Sequence, residues 1–331
     1  LWGGKRGYSM NIVTVFEQML VLFVMILTGV AAHRKGWVSE ELYSGMSRLV
    51  VNIFNPLLIV SSVLGKTSDS AEAFFRQNLF LVFVFYIWLF VGSLLFVAVT
   101  HPDRKESPIY QLLILFPNTG FMGIPLVAAL LGSEYVIYVA IYMLGYNLLI
   151  YTYGIHLARR SAQNTVQECG EMPAPSFPAL VWGSLRSVLT NPGVAAAVVA
   201  MILFFSGCPV PAWIAKCCDY MGNASIPLSM FLIGCSVAAS SVGAMLHDVR
   251  VYFFLAFRMF LLPIGGILLA RLLPVAPQMQ QLFGIMLAMP AGSLVVLIAQ
   301  QYGEGAECAT RGVILSTLLS LVSIPVVSLF L

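Results

Sequence analysis

Long apolar runs separated by short polar breaks set the pattern of this chain. A helix crosses a bilayer in about 20 apolar residues, and ten runs reach that length. They cover roughly 11–33, 42–64, 76–99, 108–131, 135–158, 184–206, 211–239, 249–273, 278–302 and 308–330. Several are free of charge throughout, among them Leu79–Val99, Tyr135–Ile155 and Val313–Leu331. Pro274 and Pro277 mark a turn inside the charge-free stretch from Leu272 to Gly303. Leu1 to Ser9 read as a cloning scar or an upstream extension, with Met10 as the start. The run that follows has the length of a full span rather than a signal-peptide core. The longest connection, Arg159 to Pro178, carries Pro173, Pro175 and Pro178 and falls after the fifth run. The expected organisation is a first five-helix unit over 10–160, a cytoplasmic linker over 161–178 and a second five-helix unit over 179–331.

Composition agrees with the pattern. The chain of 331 residues is 60% hydrophobic and 9% charged, whereas soluble domains carry about 25% charged residues. Its mean hydropathy is +0.91. These values point to an all-α integral membrane protein and exclude a cytosolic enzyme, a nucleic-acid binder and a secreted disulfide scaffold. The net charge of +3 implies no polyanionic partner. The six cysteines show neither C-x-x-C spacing nor a histidine at ligand spacing, so no metal site is expected.

Loop charges set an orientation. Connections after odd-numbered spans hold ten Lys or Arg (Arg34, Lys35, Arg48, Arg104, Lys105, Arg159, Arg160, Arg186, Arg250 and Arg311). The other side holds four, Lys66, Arg76, Lys216 and Arg271. The positive-inside bias puts the odd loops in the cytoplasm of a cell membrane and both ends of the native chain outside.

The two halves also match each other. Arg48, Asn52 and Pro56 in span two correspond to Asp219, Asn223 and Pro227 in span seven at a constant offset of 171. Pro117-Asn118-Thr119-Gly120 in span four corresponds to Pro290-Ala291-Gly292-Ser293 in span nine, offset by 173 at the proline. Five spans is an odd number, so the second unit enters from the opposite side. Inverted repeats with helices interrupted by proline and glycine at corresponding positions are the signature of secondary transporters, with the site near the midplane. Proline removes a donor and clashes with the preceding turn; the freed groups must find protein, water or solute. Pro117, Asn118, Thr119, Gly120, Pro290, Gly292 and Ser293 are therefore the candidate substrate contacts, and Pro125 marks a second interruption in span four. Two half-helix N-termini meeting there would suit an anion.

The motifs PNTGFMGIPL in span four and AMPAGSLVVLIAQQYG followed by TRGVILSTLLSLVSIPVV in spans nine and ten resemble the auxin efflux carrier family. NPLLIV in span two and NASIPLSMFLIG in span seven fit the same family. The resemblance covers Met10 to Leu331. It implies ten transmembrane helices in two inverted five-helix repeats, with spans four and nine crossing as broken helices. Spans one, two, six and seven would form a scaffold that dimerises, and the others a moving transport unit. It implies transport of small organic anions, such as indole acetate in the plant PIN carriers or malate and malonate in bacteria. The middle loop of about 20 residues matches a bacterial or short-loop member.

Ionisable groups inside a membrane are functional hypotheses by default. Arg258, near the centre of span eight, reads either as the counter-charge for an anionic substrate or as a buried partner of Asp219. Asp219 is a candidate for coupling transport to protons, and sodium coupling is equally open; no cofactor is expected. Asn223 lines a cavity or caps carbonyls freed by Pro227. Asn52 and Asn55 read as structural, Asn52 beside Pro56. Glu17, Glu134 and His156 lie at span ends. Tyr135, Tyr138, Tyr142 and Tyr146 recur at helical spacing on span five, with Asn147 beside them. Gly65-Lys66-Thr67 ends like a phosphate loop, but Val60 stands where its first glycine belongs. Hydrolase motifs are missing. The remaining alternative to a transporter is a ligand-binding receptor or sensor on the same architecture, without net transport.

Overall fold

The computed structural model describes residues 12–64, 71–165, 192–206, 208, 210–239, 249–302 and 305–331. The expected extension over 1–9 and the linker beyond residue 165 lie outside the described residues. The helices of the first half are α1 (Ile12–Arg34), α2 (Glu40–Leu49), α3 (Asn55–Ser61), α4 (Ala71–Thr100), α5 (Ser107–Leu115), α6 (Ile124–Leu130), α7 (Val136–Leu149) and α8 (Ile155–Thr165). Those of the second are α9 (Pro192–Ser206), α10 (Ala212–Asn223), α11 (Ser225–Ala238), α12 (Val249–Ala256), α13 (Leu262–Arg271), α14 (Pro277–Ala288), α15 (Leu294–Tyr302) and α16 (Ala306–Ser328). Each of the ten apolar runs carries helix. Among the described residues five helical stretches are long and apolar enough to cross a membrane: Glu40–Ser61, Phe74–Thr100, Ala212–Ala238, Val249–Arg271 and Ala306–Ser328. Ser133–Leu149 and Thr152–Ser161 make a sixth, bent by 40°. Thr119–Leu130 and Pro192–Leu203 are shorter apolar helices.

The outside of this bundle is apolar, as befits an integral membrane protein. Phe83 is 68% exposed and Leu261 64%, a cost in water that hydrocarbon removes. The interior holds an edge-to-face aromatic cluster in which Phe85 meets Tyr142 at 5.0 Å and Phe283 at 6.0 Å, linking α4, α7 and α14.

The prolines act in a way that their positions alone do not reveal. Three of the four π-helical turns among the described residues, Val50–Phe54, Thr119–Gly123 and Phe257–Leu261, each end one residue before an X-Pro pair, Asn55-Pro56, Ile124-Pro125 and Leu262-Pro263, while the fourth, Ile150–Gly154, has no proline after it. A proline ring presses on the carbonyl four residues back. Widening the preceding turn moves that carbonyl away and keeps the chain helical. Pro56, Pro125 and Pro263 thus bend their spans without cutting them. In span seven the helix bends at Ala224, between α10 and α11, three residues ahead of Pro227.

Without a hydrophobic drive in lipid, helices associate through close packing at small residues. α1 and α11 approach so closely that a Cβ on Gly29 would strike the Phe231 carbonyl, and one on Gly234 the Ile26 carbonyl. The Cys235 thiol donates to the Gly29 carbonyl in the same seam. α3 and α10 meet likewise at Gly222, where a Cβ would lie 2.7 Å from Leu58 Cα. Buried Ser225 donates to the Asn55 side-chain oxygen across this contact. Gly45, by contrast, has open space around it. Alanine is the better helix former by up to about 1 kcal/mol, so Gly45→Ala should hold or raise the melting temperature in detergent. Gly234→Ala should lower it, because overpacking against backbone costs about 1–3 kcal/mol. Equal shifts for the two variants would contradict this packing.

Candidate functional site

Spans four and nine are broken at the positions their motifs mark, and the two breaks lie against each other. The chain is extended from Phe116 to Asn118 and again from Met289 to Gly292, where Pro117 and Ala291 form an isolated antiparallel bridge. Asn118 N–H donates to the Pro290 carbonyl at 2.7 Å, and Gly292 N–H donates to the Phe116 carbonyl at 2.8 Å. Each break thereby satisfies groups that the other leaves free, which water cannot do at this depth. Ala291 N–H donates to the Ser316 hydroxyl oxygen at 3.1 Å, and Ser316 donates onward to the Val313 carbonyl at 3.0 Å. The Asn118 side chain caps the helix after its own break, accepting from Phe121 N–H at 3.2 Å. Thr119 N–H turns back to the Pro117 carbonyl at 2.8 Å.

The two glycines of the motifs differ. A Cβ on Gly292 would lie 2.9 Å from the Tyr146 hydroxyl and 3.0 Å from the Phe116 carbonyl, so the bridge tolerates no side chain there. A Cβ on Gly120 would meet only Met143 Cε at 3.8 Å.

A narrow cleft with a cavity volume of about 40 Å³ opens beside the crossing. Asn118, Phe121 and Ser293 reach it from the breaks, Val313, Ile314 and Thr317 from α16, and Tyr43, Leu232, Ile233, Ser236 and Val237 from α2 and α11. Tyr43 and Ser236 join through a side-chain hydrogen bond. Asn118 Oδ1 is committed to Phe121 N–H, and the hydrogen-bond network therefore assigns Nδ2 as the end free to face the cleft. Ser293 is exposed on the cleft wall. Among the described residues the cleft lining carries polar groups and apolar side chains, with no Lys, Arg, Asp or Glu.

The predicted residues thus divide. Pro117, Asn118, Thr119, Pro290 and Gly292 are buried at the crossing, with half-buried Gly120 and cleft-facing Ser293 next to them. Pro125 is buried behind the π turn of span four, and Pro56 is half-buried behind that of span two. Asn52, Asp219, Asn223 and Pro227 sit on exposed positions of spans two and seven, away from the cleft lining. Asn223 donates to Asp219 Oδ1 at 3.0 Å. Arg258 does not pair with Asp219: it is wholly buried, and it donates through Nη1 to the Leu287 carbonyl at 2.8 Å. The physical reason is direction, since Asp219 points out of the bundle while Arg258 projects into it. The expectation of two bare half-helix ends also needs correction, because the crossing itself takes up Asn118 N–H and Gly292 N–H. Tyr43, Ser236, Ser316 and Thr317 were not singled out from sequence. The one available signal for Ser316 was a row of hydroxyls in span ten (Ser316, Ser320 and Ser323), all wholly buried.

Removing the Ser316 hydroxyl leaves Ala291 N–H without a partner, at a cost of about 1–3 kcal/mol. Ser316→Ala and Gly292→Ala should both lower the melting temperature in detergent, whereas Gly120→Ala should leave it within a degree or two. Equal tolerance of alanine at 120 and 292 would contradict the bridge.

Comparison of the sequence with known proteins points to a family. The family profile described as membrane transport protein matches residues 14–328. An uncharacterized transporter of Methanocaldococcus jannaschii is 22% identical over 320 residues, covering 93% of this chain and 96% of that protein. One of Methanothermobacter thermautotrophicus is 24% identical over 326 residues, covering 95% and 98%. With a profile match over nearly its whole length, the chain belongs to the auxin efflux carrier family of membrane transport proteins.

Proposed function

We propose that this protein is a secondary active transporter for a small organic anion, a carboxylate such as malate, malonate or an auxin-like acid. The anion is bound at the crossing of spans four and nine and moved by alternating access. The observation that carries this reading is the pinned Asn118 carboxamide. Its oxygen is used by Phe121 N–H, which leaves its NH₂ donors for the cleft whose lining it shares with Ser293. Donors without a competing protein acceptor suit a carboxylate. Family membership supports transport as such.

Ten spans in two inverted units fit the reciprocal bonds at the crossing. Phe116 and Pro290 are the acceptors, Asn118 and Gly292 the donors, and both pairs are offset by 174 (290−116 and 292−118). The cleft lies between spans two and seven on one side and spans four, nine and ten on the other, which is where a scaffold and a moving unit would part. Tyr43, Val237 and Val313 lie toward the span ends that join the loops after spans one, seven and nine. Those loops belong to the Arg- and Lys-rich side, so in this reading the cleft faces the cytoplasm and both native ends face outward. Asn52, Asp219 and Asn223 are exposed on membrane-length helices. Polar groups facing hydrocarbon are costly, and a second copy packed on spans two and seven would cover them. Among the described residues no carboxylate lines the cleft, and in this reading Asp219 is the group that carries proton coupling from outside it.

Counterflow of radiolabelled malonate and indole-3-acetate into proteoliposomes tests the reading. Saturable exchange of at least one acid is expected, with Asn118→Ala raising its half-saturation by roughly tenfold, the equivalent of one charge-assisted hydrogen bond. Binding without flux would favour the receptor alternative, and flux indifferent to Asn118→Ala would remove the crossing as the site.

A further inference from the structure

Proline alone does not cut a helix in this protein. α16 runs unbroken through Pro325, and three other prolines are absorbed by π turns. Span nine nevertheless comes apart at Pro290, so something beyond the proline holds it open.

A continuous helix would pair Ala291 N–H with the Leu287 carbonyl, four residues back. Both halves of that bond are taken by other partners. The donor goes to the Ser316 hydroxyl oxygen at 3.1 Å. The acceptor is filled by Arg258 Nη1 at 2.8 Å. Arg258 is 0% exposed, absent from the cleft lining, and has no hydrogen-bond partner at Nε or Nη2 among the described residues. Its π turn, Phe257–Leu261, aims it from span eight at the last turn of α14. A cation there also meets the negative end of the half-helix. Burying a guanidinium for one hydrogen bond makes poor sense as a contribution to stability, but it follows if the charge is there to compete for one carbonyl.

We propose that Arg258 and Ser316 are paired positioning residues that hold span nine in its broken form by occupying, from two neighbouring spans, the acceptor and donor of the hydrogen bond that would re-form the helix. Neither touches the cleft contacts Asn118 and Ser293; both act through the backbone from Leu287 to Gly292. The competing state is the continuous span, in which Gly292 N–H withdraws from the Phe116 carbonyl and the crossing is lost.

Spin labels at Gln278→Cys and Ser293→Cys, in a background without other cysteines, measure the length of span nine across the break. Extended backbone rises about 3.3 Å per residue against about 1.5 Å in a helix, so closing the break over four residues shortens the separation by roughly 7 Å. Arg258→Met should populate the shorter distance, and Arg258→Lys, which keeps a charged donor, should restore the longer one. Ser316→Ala should populate the same shorter distance without burying or removing any charge, which keeps the test informative should Arg258→Met fail to fold. Ser316→Thr should behave as the parent. A distribution unchanged in Ser316→Ala, or shortened as much by Arg258→Lys as by Arg258→Met, would overturn the proposal. No substrate is needed, so this result is independent of the counterflow experiment.

Discussion

A peptide group in hydrocarbon has no water to fall back on, and every interruption of a membrane helix must find new partners for the groups it frees. In this protein the two interruptions solve the problem for each other. The pair of bonds between Asn118 and Pro290 and between Gly292 and Phe116 lets two spans be broken at the same depth. Much of the rest follows from it. Gly292 must lack a side chain, Ser316 must present its hydroxyl to Ala291, and Asn118 must turn its amide oxygen to its own helix. With Oδ1 held by Phe121 N–H, the Nδ2 donors of Asn118 are the end left for the cleft that this residue lines.

The same constraint explains how proline is used. Where a span must continue, a π turn ahead of the proline moves the clashing carbonyl aside, as before Pro56, Pro125 and Pro263. Where it must stop, side chains from other spans take the unpaired backbone groups. Pro290 illustrates the second case and Pro325, inside an intact helix, shows that the residue type does not decide between them. The packing of spans one, two and seven depends on a different device, glycines that bring α1 against α11 and α3 against α10 until backbones touch.

Much of this was legible in the chain itself. Apolar run length located the helices, and the motifs around Pro117 and Pro290 located both breaks, because proline and glycine act locally. Asn118 and Ser293, beside those breaks, were singled out for the same reason. Arg258 was recognised as a buried charge, but its partner was not: a carbonyl carries no sequence label, and Leu287 looks like any other apolar residue. Ser316, Tyr43 and Ser236 escaped notice because hydroxyl groups are common on membrane helices and only their direction separates a structural bond from a wall of the cleft. Asp219 and Asn223, prominent in the motif match between the two halves, proved to face outward. A repeat marks equivalent positions in two halves without saying which face of the helix they occupy.

The central claim is that the crossing forms the wall of a ligand-accessible cleft. Cysteines placed singly at Asn118 and Ser293 in a cysteine-free background, reacted with a membrane-impermeant maleimide in inside-out vesicles, test it most directly. Both positions should label, Ser293 the faster as the exposed one, and malonate or indole-3-acetate should slow the reaction at Ser293. Failure of both positions to label, with Tyr43→Cys in the same cleft also unreactive, would contradict a cleft open at the crossing.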